Sequence, residues 1–289
     1  MSAKVACIAG EEVHRQWRAG RIAGEMLGPR KTPFGDSGEV ILVAGDGQEF
    51  YLLARHGEGL AKTSPRGIND RANMYALKDL GVECVVGWGP GGAITHSMAV
   101  GDLVILNDLI DFTHLRDKTF FESSPLGFLR QFPVFCPTLR RALGEVLHEM
   151  KLVYHATATA AVREGPRLET PAEIRMLATV GAEVVTHTFV PEVFLAKELE
   201  LCYAGVCYVV NYAETGSRHR PFAAGDLFGG LTQESDTERL TGAVSSMSQI
   251  AANVAALAEN GERICQCRET MAGYRRKYQL GDDWRQWMA

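Results

Sequence analysis

Apolar runs of about five residues that end in glycine alternate along this chain with longer segments whose apolar side chains recur every three or four positions. Residues 5–9 read as a first strand closed by Gly10. Residues 40–44 and 49–54 are apolar runs on either side of Gly45-Asp46-Gly47, a hairpin pattern. Residues 69–80 predict a helix with Ala72, Ala76, Leu77 and Leu80 on one face and Gly81 as its stop. A strand at 82–87 opens into Trp88-Gly89-Pro90-Gly91-Gly92, read as a loop, and extended apolar runs follow at 103–106 and 109–112. Pro137 starts a helix over 137–150, residues 153–162 form a strand, and Thr170-Pro171-Ala172-Glu173 opens a helix that Gly181 closes. A strand at 184–186, a helix at 191–199 and a strand at 203–211 complete the alternation. Ser235 and Glu238 have capping-box spacing at the start of an amphipathic helix over 235–260. Residues 113–134 are the longest irregular stretch, a candidate lid or interface loop.

This order predicts an α/β fold: one domain over 1–262 with a twisted, mostly parallel central β-sheet flanked by helices. The charged, aromatic tail at 263–289 is expected to pack on that domain or on a neighbouring subunit. In such sheets ligands collect at the carboxyl ends of strands, where Gly10, Arg55-His56-Gly57, residues 89–92, Thr188 and Asn211 fall.

Composition narrows the classes. With 46% hydrophobic and 22% charged residues, the 289-residue chain has the balance of a soluble globular enzyme. A net charge of -5 leaves no electrostatic footprint for nucleic acid or an acidic membrane, so an anionic substrate needs a local basic site. No apolar run reaches about 18 residues, so no membrane span is expected. The start reads as a strand and not as a signal peptide. Seven cysteines, an odd number scattered along the chain, point to free thiols in a reducing cytoplasm. Cys265-Gln266-Cys267 lacks the spacing of a zinc knuckle and has no second pair in sequence, so no metal is expected.

Arg55 suits bidentate contact with phosphate and His56 can add a second bond, although a surface ion pair explains the dipeptide equally well. The amides of residues 88–92 can approach an anion, or serve only as a tight turn. Glu169 and Asn211 are more specific together. A 6-oxopurine offers N1–H as donor and O6 and N7 as acceptors; a carboxylate takes the first and a carboxamide can donate to either of the others. Separately, Glu169 fits a helix N-terminus and Asn211 a turn.

The chain carries, in this order, Ala54-Arg55-His56-Gly57, Ile68-Asn69 through Lys78, Val100-Gly101-Asp102, Leu109 to Thr113, Glu164-Gly165-Pro166-Arg167-Leu168-Glu169-Thr170, and Val190-Pro191-Glu192 to Ala196. Together, from about residue 4 to residue 212, these motifs resemble the trimeric purine nucleoside phosphorylase and methylthioadenosine phosphorylase family. The resemblance implies phosphorolysis of a purine nucleoside (5′-methylthioadenosine or 5′-methylthioinosine, or inosine or guanosine) by a homotrimer, with phosphate as co-substrate and no other cofactor. It implies a phosphate site at Gly10, Arg55, His56 and Thr188, base and ribose contacts from Leu168, His187, Gly89 and Gly91, and catalytic roles for Asn211 and Glu169. Leu168-Glu169 and Val209-Val210-Asn211 resemble the branch acting on methylthioinosine, inosine or guanosine; the adenine-reading branch carries aspartates where this chain has Asn211 and Ala213.

The sequence departs from the family around phosphate. Ala9-Gly10-Glu11-Glu12 replaces a Gly-Gly-Thr-Gly loop, Glu58 to Ser64 lack the usual further histidines, Gly87-Trp88-Gly89 replaces a hydroxyl- or asparagine-bearing strand end, and His187 replaces a methionine. These departures leave two other readings open: a nucleoside hydrolase that uses water, or a nucleoside-binding homologue impaired in catalysis.

Overall fold

In the computed structural model, which describes residues 3–45, 48–57, 63–213, 234–260 and 263–288, β1 (Val5–Ala9) leads directly into a short helix, α1 (Glu11–Arg18). Strands β2 (Gly24–Thr32), β3 (Gly35–Gly45) and β4 (Gln48–Ala54) follow, then α2 (Asp70–Asp79) and β5 (Cys84–Ala93). The middle of the chain supplies β6 (Leu103–Ile105), β7 (Asp108–Asp111), α3 (Pro137–Glu149), β8 (Tyr154–His155), β9 (Thr159–Val162), α4 (Pro171–Thr179) and β10 (Val184–Thr186). Then come α5 (Glu192–Glu198), β11 (Cys202–Tyr212), α6 (Glu234–Ser245), α7 (Met247–Asn260) and, in the tail, α8 (Ala272–Tyr278).

All the strands join one eleven-stranded sheet. The sheet is mixed: parallel where β1 meets β4 and β5, where β11 meets β5 and where β9 meets β7 and β10, but antiparallel in the outer β2–β3–β4 hairpins and where β10 meets the end of β5. Side chains alternate across it. From β1 and β5, Ile8 and Val85 enter one core with Met74 and Leu77 of α2, while Cys7, Val86 and Trp88 enter the other with Leu139 and Leu143 of α3 and Val254 of α7. The tail covers the first face. Met271 and Trp287 are buried there, Trp284 packs on Tyr75 at 4.7 Å between centroids, and Arg285 pairs with Asp79 at 2.5 Å.

Several local expectations hold for the physical reasons that prompted them. Asn69 caps α2 by accepting from the Ala72 amide, and Thr170 and Glu173 form a complete capping box on α4. Others change. Residues 88–92 are strand, not loop. Their glycines are required by close approach: a Cβ on Gly87, Gly89 or Gly91 would lie 2.0 Å from Tyr203 Oη, 2.3 Å from Thr188 Oγ1 or 2.4 Å from Cys207 Sγ. Trp88 is an interior residue, 2% exposed and stacked on Tyr208. The strand at 153–162 is interrupted into β8 and β9, and the helix at 235–260 is broken at Ser246, whose hydroxyl donates to Ala243 O at 2.7 Å. Asp46, Lys62 and the basic cluster at 218–222 lie outside the described residues. The seven cysteines are free thiols, and Cys136 and Cys202, far apart in sequence, meet Cys265 and Cys267 in space.

The crowding predicts opposite effects for two alanine substitutions. Gly87→Ala is expected to lower stability to urea by about 1–3 kcal/mol through overpacking. Gly144→Ala, in the interior of α3 with its nearest neighbour 3.9 Å from the added Cβ, is expected to raise it by about 0.5–1 kcal/mol. Equal effects of the two substitutions would refute the packing account of β5.

Candidate active site

Both implied halves of the site line one cavity of about 530 Å³ at the carboxyl ends of β1, β4, β10 and β11 and on the second half of β5. Of the residues expected from sequence, Gly10, Arg55, His56, Gly91, Leu168, Glu169, His187, Thr188 and Asn211 are on its wall. Gly89 is not on that wall; it lies behind Thr188, whose side chain occupies the space a Cβ would need.

One half is apolar with two polar readers. Ile174, Val185 and Ala213 belong to a small buried cluster that forms this wall, joined by Leu168 and Val210. Asn211 reaches the cavity because β11 bulges: Val209 pairs with Gly91 and Asn211 with the very next residue, Gly92, so Val210 is the extra residue. A bulge of this kind re-aims side chains, and both Val210 and Asn211 line the cavity. Gly92 makes room, since a Cβ there would lie 2.8 Å from Asn211 Oδ1. Glu169, its side chain 6% exposed, lies 3.7 Å from Arg163 Nε, and Arg163 is held in turn by Glu173 at 2.7 Å. The loops carrying Gly165 and His187 are tied together by Arg116, which sequence reasoning missed. It donates to the carbonyls of Arg163, Glu164, His187 and Val190 and pairs with the Glu164 carboxylate at 3.2 Å. Gly165, at φ 66°, lets the His187 ring pack against the backbone.

The other half carries hydrogen-bond acceptors as well as donors. Thr186 Oγ1 donates to Pro90 O at 2.7 Å, so the Thr188 hydroxyl, 2.8 Å away, can donate either to Thr186 or into the cavity. His56 Nδ1 lies 2.8 Å from Thr63 O and therefore carries the proton, leaving Nε2 as an acceptor in the neutral ring. Burial, reinforced by the Arg55 charge, pushes the His56 pKa down to about 4, so that ring is neutral near pH 7. The first turn of α1 has no side-chain cap, and its amides open beside Gly10. Glu11 and Glu12 sit in that turn, where the helix dipole favours carboxylates. Glu12 is drawn along the helix by Arg15 at 3.2 Å and Gln16 at 3.5 Å. Arg15 itself lines the cavity, a cation that sequence motifs did not single out because it stands in an unrecognised helix.

Arg55 lines the wall, yet its guanidinium serves the protein. Nε donates to Glu192 at 2.9 Å, Nη1 to Trp88 O at 3.0 Å and Nη2 to Ile8 O at 3.0 Å, and the side chain is 1% exposed. The second Glu192 oxygen accepts from Tyr203 Oη at 2.5 Å. Asp70 faces the same cluster, and burial together with Glu192 pushes its carboxyl well above the usual range. Glu192 and Tyr203 are thus supports of the site that sequence reasoning did not assign.

Comparison with known proteins places this geometry. The model of the phosphorylase superfamily matches residues 12–256. A probable 6-oxopurine nucleoside phosphorylase of Dictyoglomus turgidum is 40% identical over 250 residues, covering 85% of this chain and 89% of that one. The probable 6-oxopurine nucleoside phosphorylase of Thermococcus kodakarensis is 41% identical over 217 residues, 73% of this chain and 79% of its own. A probable S-methyl-5′-thioinosine phosphorylase of Methanothermobacter thermautotrophicus is 37% identical over 210 residues, 72% and 71% of the two chains. Among solved structures, methylthioadenosine phosphorylase from Schistosoma mansoni in complex with adenine has the same fold, with a TM-score of 0.78 at 24% identity over 94% of this chain and 96% of that one.

His56 gives the site a pH signature. Its folded-state pKa, about 4, lies below the unfolded value of 6.5, so between these values the unfolded chain binds the extra proton and stability falls as the pH is lowered. The full effect is about 3 kcal/mol, reached below pH 4. Glu198, raised to about 7 by burial, has the opposite sign, so the test is a difference. Urea unfolding at pH 7.5 and pH 5 is expected to show a smaller acid loss in His56→Gln than in the wild type; equal losses would place His56 in water.

Proposed function

The chain belongs to the phosphorylase superfamily, and we propose that it cleaves 6-oxopurine nucleosides, with a 5′-hydroxyl or 5′-methylthio group, by phosphorolysis to the base and the sugar 1-phosphate. The observation that carries this reading is the convergence of Glu169 and Asn211 on one cavity whose remaining wall there is apolar, Ala213 included. Glu169 accepts from the purine N1–H. Asn211 donates to O6 or N7 and strengthens that bond as negative charge moves onto the leaving base. A carboxylate at 211 or 213 would favour a 6-aminopurine by accepting from its exocyclic amino group and sharing a proton with N7; this chain has Asn211 and Ala213 there, and Glu169 is matched to the N1–H that only the 6-oxopurine carries.

The acceptors opposite do not contradict phosphate. Monohydrogen phosphate has a P–OH that needs an acceptor, and Glu11 or His56 Nε2 supplies one, while Thr188, the α1 amides and Arg15 supply donors. Phosphate held there stabilises an oxocarbenium-like sugar and then captures it, which requires positioning and electrostatics but no covalent enzyme intermediate. Arg55 is a positioning residue in this scheme. The exposed Phe128 and Phe132 in the irregular segment support burial in a homotrimer, and the free thiols support a reducing cytoplasm.

Product analysis with inosine, 5′-methylthioinosine and adenosine, with and without phosphate, tests the reading. Phosphate-dependent cleavage of the two 6-oxopurine nucleosides to sugar 1-phosphate is expected. Free ribose without phosphate would mean a hydrolase, and base binding without turnover a ligand-binding homologue. Asn211→Asp is expected to lower kcat/KM for inosine by about 10–100-fold and to narrow the preference over adenosine.

A further inference from the structure

Four cysteines meet outside the cavity. Cys136 precedes α3, Cys202 begins β11, and Cys265 and Cys267 follow α7; their sulfur atoms all lie within 4.8 Å of one another. Cys136 and Cys202 are buried, and Cys265 and Cys267 are half-buried. Cys202 Sγ and Cys265 Sγ are 3.5 Å apart. Four thiolates around a zinc ion, each about 2.3 Å from the metal in tetrahedral array, stand about 3.8 Å apart, so small side-chain adjustments suffice.

The surroundings suit the negative charge such a centre would carry. The Leu139 amide, in the first turn of α3, donates to Cys136 Sγ at 3.5 Å. Arg263 lies within electrostatic reach of Cys84, Cys202 and Cys265. Its Nη2 pairs with Glu83 at 2.5 Å, but its buried Nη1 finds no hydrogen-bond partner among the described residues. A buried guanidinium nitrogen left over beside a group of thiols is accounted for if the group is anionic.

We propose that Cys136, Cys202, Cys265 and Cys267 form a structural site for a single thiophilic divalent cation, of which zinc is the type, pinning the tail to α3 and β11. Four protein ligands close the coordination sphere, as in structural and not catalytic zinc sites. Binding exchanges four thiol protons for the metal and consumes no oxidant, which suits free thiols in a reducing compartment. The site is remote from the chemistry: Cys202 is nine residues along β11 from Asn211, about 30 Å of extended strand.

Metal titration of the full-length protein, purified under reductant and stripped with chelator, tests the proposal with zinc in competition with a chromophoric chelator and with cobalt as spectroscopic probe. One ion per chain is expected, with the sulfur-to-cobalt charge transfer and intense visible bands of a tetrahedral thiolate site. Native mass spectrometry is expected to show the gain of one metal ion per chain. Cys265→Ser with Cys267→Ser is expected to weaken binding at least about tenfold, with kcat/KM for nucleoside cleavage unchanged. Absence of stoichiometric binding by the reduced wild type, a cobalt spectrum of oxygen or nitrogen ligation, or unaltered affinity in the double variant would overturn it. So would thiol counting that finds the four cysteines paired as disulfides in protein isolated anaerobically. The cobalt spectrum of the wild type decides the matter if the variant fails to fold.

Discussion

The buried ion pair between Arg55 and Glu192 fixes the floor of the cavity. Arg55 directly follows β4, Ile8 lies in β1 and Trp88 in β5, so one guanidinium ties three adjacent strands together at the level where the cavity begins. Glu192 brings the first turn of α5 to the same point, and Tyr203 adds β11. Such a pair is tolerated in an interior only when its hydrogen bonds are made, and here each guanidinium nitrogen and both carboxylate oxygens have partners. Burial, with Glu192 beside it, pushes the Asp70 carboxyl well above the usual carboxylate range. The neighbouring His56 is neutral for a related reason: it shares its surroundings with a fixed cation and is itself desolvated.

From that floor, two backbone devices shape the walls. The glycines of β5 admit Tyr203, Thr188, Cys207 and Asn211 to within distances that any side chain would forbid, and the bulge in β11 turns Val210 and Asn211 together into the space so created. Both devices give up regular sheet geometry for the placement of particular groups. The result is a cavity divided by chemistry: an apolar wall with a carboxylate and a carboxamide at one end, and amides, a hydroxyl, a neutral imidazole and a mixed-charge helix turn at the other. That division is the basis of the proposed recognition of a planar base at one end and an anion at the other.

Much of this was legible in the sequence where the signal is local. The Asn69 cap, the Thr170–Glu173 capping box and the hairpin of β3 and β4 depend on neighbours a few residues away, and they appear where the pattern puts them. Glu169 and Asn211 were legible as a pair because their hydrogen-bonding inventory fits one ligand class. What escaped was non-local or masked by composition. Charged residues dominate α1, and β2 has a mostly exposed face at the edge of the sheet, so neither shows an apolar period. The glycines of β5 look like a turn until Tyr203 and Thr188 stand against them. Arg55 looks like an anion ligand until Glu192, 137 residues away, is beside it. The thiol cluster has no spacing at all in sequence, since its members converge only through α3, β11 and the tail.

In the proposed function, Arg55 organises the anion half of the cavity without contacting the anion through its guanidinium. A crystal structure with phosphate or sulfate bound decides it most directly. The account predicts an anion against the first turn of α1, His56 and Thr188, with Arg55 still donating to Glu192, Trp88 O and Ile8 O. An Arg55 guanidinium turned onto the anion, with Glu192 released, would contradict it.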